Sequence, residues 1–157
     1  MSTSPNQVSQ LWFLNQLVTV RVARSENQDG ISVLEHRVPQ GDSPPMHFHR
    51  NEDEIIYILE GEIRVKMAGE ERRAGTGEVL LVPKGVPHTY RVESREGGRF
   101  ITVTVRGEFE RFVRAMSRPA ERAGLPEPAG APSPEMMQAF RATASQHGIE
   151  FVGPPLS

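Results

Sequence analysis

Three of the five histidines stand where their chemistry can converge. His47 and His49 are two residues apart, so on an extended backbone both imidazoles point to one side and Phe48 to the other. Glu54 opens a later run in which Ile56 and Ile58 share its face, which places its carboxylate inside. His88 starts a further run after Pro83-Lys84-Gly85-Val86-Pro87. Three nitrogen donors and one oxygen donor meeting inside a barrel suit one divalent first-row transition metal with open coordination positions. Iron, manganese, nickel, cobalt and zinc all accept such donors, so the set leaves the ion's identity open. Glu52 and Asp53 compete with Glu54 for the carboxylate role, and both are expected on an exposed turn. His36 and His147 read as surface groups or satisfied core polar groups.

Short strands must position these side chains. Ile63, Val65 and Met67 alternate with Glu62, Arg64 and Lys66, a period of two with a charged outer face. Comparable runs cover Leu17–Val22, Ile31–Val38, Glu54–Glu60, Val79–Val82, His88–Glu93 and Phe100–Arg106. Turn residues separate them, including Asp29-Gly30, Gly61, Gly69 and Gly97-Gly98. This spacing predicts an antiparallel sandwich or barrel. The Glu54–Glu60 run is apolar on both faces, which calls for cover by the C-terminal helices or by a second subunit.

After Gly107 the period changes. Phe109, Phe112, Val113 and Met116 lie on one face of a helix over about Glu108–Ser117. A proline-rich connector leads to Ser133-Pro134-Glu135, an N-cap, a first-turn proline and an acid at the positive helix end. The second helix is expected to turn Met136, Met137, Phe140 and Ala144 inward and to stop at Gly148. The expected organisation is a flexible segment over residues 1–10, a β-barrel over 11–107 and a helical extension over 108–157 packed on it.

Composition narrows the function. A chain of 157 residues is one domain's worth, with no room for an added DNA-binding domain. Eighteen basic against twenty acidic residues leave no positive excess for a nucleic-acid backbone. With no cysteine, disulfides, thiolate catalysis and iron–sulfur clusters are excluded. Asn15, Gln16 and Arg21 interrupt the apolar stretch Leu11–Val22, so neither a signal peptide nor a membrane span is expected. A cytoplasmic protein is the resulting expectation.

Around the candidate ligands the sequence resembles the cupin superfamily. Gly41, His47, His49, Glu54 and Gly61 match the first cupin motif, G(X)5HXH(X)3-4E(X)6G. Gly77, Pro83, Gly85 and His88 match the second, G(X)5PXG(X)2H(X)3N, whose last position is Val92 here. The resemblance implies an all-β fold, the double-stranded β-helix or jelly-roll barrel, followed by two C-terminal α-helices. It also implies that His47, His49, Glu54 and His88 bind the metal. Asparagine at the Val92 position is not a ligand in the family, so its loss bears on a hydrogen bond behind the ligands or on a strand end.

Within the cupins the chain is similar to small quercetin dioxygenase-like members, down to the ending Ile149-Glu150-Phe151-Val152-Gly153-Pro154. That similarity implies a metal-dependent dioxygenase for a small aromatic or enol-type substrate, with Glu54 as ligand and catalytic base. Ile56, Ile58, Ile63, Val65, Met67, Tyr90 and the Ile101/Val103/Val105 face are expected to line the substrate pocket, which would be largely apolar. The alternatives are a non-oxidative isomerase, cyclase or decarboxylase, and a non-catalytic binding protein for small molecules. A homodimer is expected, because edge strands and the doubly apolar run both need cover.

Overall fold

The period-two alternation becomes strands wherever turn residues bound it. A computed structural model describes residues 9–157. Its strands are β1 (Gln10–Phe13), β2 (Gln16–Val22), β3 (Ser32–Val38), β4 (Met46–His49), β5 (Glu54–Glu60) and β6 (Glu62–Met67). They continue as β7 (Glu70–Gly75), β8 (Val79–Val82), β9 (His88–Val92), β10 (Gly98–Thr104), β11 (Ser117–Pro119) and β12 (Ile149–Gly153). Helices α1 (Glu108–Met116) and α2 (Pro134–Gln146) precede β11 and β12. One sheet runs β11-β1-β2-β3-β10-β5-β8 and the other β12-β4-β9-β6-β7, with antiparallel pairing throughout. The result is the two-layer all-β jelly roll with two C-terminal helices. Gly41 and Gly77 take φ of 82° and 88°, a left-handed turn that only glycine enters cheaply.

Of the flexible segment expected over residues 1–10, residues 1–8 lie outside the described residues. Gln10, the first residue of β1, already pairs with Thr19 of β2. The C-terminal part also does more than supply helices. Its strand β11 pairs with β1, and β12 pairs with β4, the strand that carries His47 and His49.

Burial along β10 corrects one expectation. Phe100, Thr102 and Thr104 are buried, while Ile101 and Val103 lie on the outer face opposite Tyr57 and Ile55. Val105, past the strand end, is exposed. The Ile101/Val103/Val105 face therefore points away from the barrel interior. Apolar character misled here because the inner side needs hydroxyls: Thr102 is hydrogen-bonded to buried His36.

The same outer face continues through Ile55, Tyr57, Val79 and Leu81, all exposed. The helices do not cover it, since α1 packs on β1 and α2, and α2 packs on β12. Ser133 caps α2 by accepting from the Met136 N–H at 3.1 Å. Phe140 and Ala144 are buried, but Met136 is exposed, contrary to its expected inward position. The reason is that α2 docks only its later turns, and residues 127–136 are exposed throughout. Two apolar clusters fill the interior. One joins Ile56, Ile58, Ile63, Val65, Val92 and Phe100, and the other joins Phe13, Val18, Leu34, Phe112, Phe140 and Ile149.

Candidate metal centre

Strand register brings the histidines together. His47 and His49 occupy one face of β4, and His47 lies directly across from His88 of β9. The loop before His88 is fixed to the same strand, because the Gly85 N–H donates to the His49 carbonyl at 2.7 Å. The Lys84 N–H donates to Asp53, which lies on the exposed turn where it was expected. Ring centroids of His47 and His88 are 4.3 Å apart, and one nitrogen from each of the three rings lies within 4.8 Å of the others.

Each ring is oriented from behind. His47 Nδ1 faces the Pro45 carbonyl at 2.7 Å, His88 Nδ1 the Val86 carbonyl at 3.0 Å, and His49 Nδ1 the Glu52 carboxylate at 3.3 Å. All three acceptors demand an N–H at Nδ1, so each Nε2 presents its lone pair. The Nε2 atoms of His49 and His88 are buried without a hydrogen-bond partner among the described residues. Glu54 opens β5 inside the barrel, with one carboxylate oxygen 3.6 Å from His49 Nε2 and the other 4.0 Å from His88 Nε2. Ligand atoms about 2.1 Å from one cation stand about 3.0–3.4 Å apart, so small rotations close this set around an ion. Orphaned imidazole nitrogens facing a buried carboxylate fit a cation, and these histidines could hold one.

The electrostatics agree with that fit. Burial, aided by the His88 and His49 charges, holds His47 well below the usual imidazole range despite its bond to Pro45. Burial also lowers His88, opposed by the Glu54 charge. At His49 burial is outweighed by the Glu52 hydrogen bond and the charges of Glu54 and Glu52, which raise it. Burial thus favours the neutral form of His47 and His88, while the two carboxylates around His49 favour positive charge at that ring.

Glu52 departs from expectation. Its side chain is 1% exposed, and Oε1 accepts from both His49 Nδ1 and the Phe109 N–H, the latter at 2.8 Å. Phe109 is in the first turn of α1, whose positive end favours a carboxylate. The turn therefore buries Glu52 because α1 returns to it from 57 residues away. The spacing of Glu52 three residues after His49 was the one sequence signal for it.

A cavity of about 120 Å³ opens beside His47, Glu54 and His88. Of the residues expected to line it, Tyr90 does so. Ile56, Ile58 and Val65 belong to the buried cluster away from it, Met67 packs against that cluster, and Val103 lies on the outer face. The walls come instead from Phe13, Phe109, Phe112, Phe140 and Phe151. The lining also includes a polar group that sequence reasoning missed, made of Gln16, His36, Asp42 and Thr102 with Tyr90. Gln16 Nε2 donates to Asp42 at 2.8 Å and to the Tyr90 hydroxyl at 3.3 Å. His36 bonds Gln16 Oε1 at 3.0 Å and Thr102 at 2.9 Å, so it is a satisfied core group. Burial pushes His36 down to about 3 and Tyr90 well above its ordinary value. His147 follows the second helix and faces Glu108 at 3.6 Å.

Comparison with known proteins fits this geometry. A cupin domain family model matches residues 34–104, which include all four candidate ligands. The chain is 35% identical over 101 residues to quercetin 2,3-dioxygenase of Bacillus subtilis (strain 168), covering 64% of this chain and 30% of that protein. It is 38% identical over 55 residues to the tetracenomycin polyketide synthase protein TcmJ of Streptomyces glaucescens, covering 35% of this chain and 36% of that one. The match thus spans about a third of these relatives' lengths. In fold, the chain superposes on a predicted oxalate decarboxylase from Thermotoga maritima with a TM-score of 0.57 at 20% identity, over 67% of this chain and 98% of that one. Both motifs, the jelly roll and the family match agree that residues 34–104 form a cupin domain.

Proposed function

We propose that the chain is a metal-dependent dioxygenase for a small aromatic or enol-type substrate, with one divalent transition metal held by His47, His49, His88 and Glu54. The observation that carries the metal centre is the set of three clustered, Nδ1-anchored rings, with the Nε2 atoms of His49 and His88 facing the buried Glu54 carboxylate. The relation to a quercetin 2,3-dioxygenase and the aromatic walls of the cavity support the oxidative reading. When bound, the metal supplies Lewis-acid activation of a substrate oxygen and a site for dioxygen. Glu54, facing both the rings and the cavity, takes the proton of the substrate hydroxyl at a carboxylate oxygen. The phenylalanine walls exclude water and hold the substrate ring in plane with the site. Oxygen uptake by metal-loaded protein with catechol and enol substrates tests this. Uptake is expected to vanish in His49→Ala, and activity persisting there overturns the assignment.

A second reading is a non-oxidative cyclase, isomerase or decarboxylase, favoured by the similarity to a polyketide synthase protein. Product formed under strict anaerobiosis would decide for it. Ligand binding with no product under either condition would instead indicate a binding protein. The uncovered apolar face, with Val79 and Leu81 on edge strand β8, supports a homodimer formed by a second copy about a two-fold axis.

A further inference from the structure

The polar group that lines the cavity together with the histidines has a fixed direction. Gln16 must point its amide nitrogen at Asp42, since the reverse orientation would set its oxygen against a carboxylate. Its oxygen then accepts from His36 Nδ1–H, which leaves His36 Nε2 to accept from the Thr102 hydroxyl. Both directions of Gln16 Nε2 are spent on Asp42 and Tyr90. Two groups end the chain unspent: the Tyr90 O–H, which has no acceptor among the described residues, and the second oxygen of Asp42. No hydrogen bond joins them to each other, and both residues line the cavity. A donor and an acceptor held side by side match a hydroxyl, which needs one of each. A ligand carboxylate would meet the Asp42 charge, and an ether would leave Asp42 without a donor.

Size narrows the ligand further. A cavity of about 150 Å³ holds one benzene, whereas drug-sized ligands occupy about 300–1,000 Å³. The present cavity of about 120 Å³ is single-ring in scale.

We propose that Tyr90 and Asp42 form a hydroxyl-recognition subsite, so that the substrate is a single-ring phenol or enol with a second hydroxyl besides the metal-facing oxygen. This rests on the reading of His47, His49, His88 and Glu54 as a metal centre. Tyr90 donates to that second oxygen and Asp42 accepts its proton in a hydrogen bond, fixing which oxygen of the ring meets the histidines.

The test uses 4-(hydroxymethyl)catechol and 4-methylcatechol, with dissociation constants measured calorimetrically under nitrogen on zinc-loaded and metal-free protein. The hydroxymethyl probe is expected to bind zinc-loaded protein at least tenfold more tightly than the methyl probe. Asp42→Asn, which turns the outward acceptor into a donor, and Tyr90→Phe, which keeps the ring, should each cut that preference to within about threefold. Equal affinity of the two probes for the unsubstituted protein overturns the subsite, as does a preference that survives both substitutions. The two readings fail separately. A preference kept with both affinities unchanged by zinc supports the subsite and removes the metal centre, whereas zinc-dependent binding without preference removes the subsite alone.

Discussion

Replacing Glu52 by alanine strips two buried donors of their acceptor at once, the His49 Nδ1–H and the Phe109 N–H at 2.8 Å. Each orphaned donor costs about 1–3 kcal/mol, so the unfolding free energy should fall by about 2–6 kcal/mol. The His49 ring also loses the carboxylate that fixes its tautomer, and loss of such a partner weakens metal binding by about 10–100-fold. Glu52→Gln separates the effects. It keeps an acceptor for the Phe109 N–H, holding stability within about 1 kcal/mol, but a neutral amide polarises the ring less and should still cost about tenfold in affinity. Competitive zinc titration against a chromophoric chelator reads the affinity, and urea unfolding of the metal-free protein reads the stability. Zinc affinity of Glu52→Ala within twofold of the parent would refute the link from α1 through Glu52 to His49.

Other substitutions probe other parts of the molecule. His36, held at about 3 when folded against about 6.5 unfolded, binds more protons in the unfolded chain between those values. Its contribution to stability is therefore complete above pH 6.5 and lost as pH falls toward 3, by about 1.4 kcal/mol per unit. His36→Asn should be less stable than the parent at pH 7 and close on it by pH 4 in urea unfolding; a constant gap across that range would contradict the assignment. Phe140→Ala, at a ring packed on Phe112 at 5.2 Å and Phe151 at 5.1 Å, should cost about 3–5 kcal/mol and admit larger ligands to the cavity. Unfolding and ligand titration check both effects, and a cost below about 1 kcal/mol would show that the helix is not part of the folded core. Leu81→Glu on the uncovered face should convert a dimer to a monomer by light scattering, and an unchanged mass would place any interface elsewhere.

The clustering of His47, His49 and His88 was legible in the sequence because it depends on short-range geometry. Two residues along β4 return to the same face, and the loop from Pro83 delivers His88 opposite His47. The strands bounded by glycine turns were legible for the same reason, β5 and β8 over their full ranges. The pocket was not, because its walls arrive from far along the chain. Phe109, Phe112, Phe140 and Phe151 read as helix and tail packing, and only their docking on β1 and β12 turns them toward the cavity. Facing was misread on β10, where isoleucine and valine alternate with threonine and pattern alone favours the apolar side as the inner one. Glu52 shows the same limit, since a carboxylate on a turn reads as solvated until a helix end closes over it.

The most direct test is X-ray absorption on protein reconstituted with one equivalent of cobalt or zinc, in the parent and in the His49→Ala and Glu54→Gln variants. One tightly held ion per chain is expected, with three imidazole nitrogens and a carboxylate oxygen in its coordination shell. One imidazole should be lost in His49→Ala, and the carboxylate oxygen in Glu54→Gln. An ion whose coordination shell is the same in all three proteins, or a parent chain that retains no ion, would contradict it.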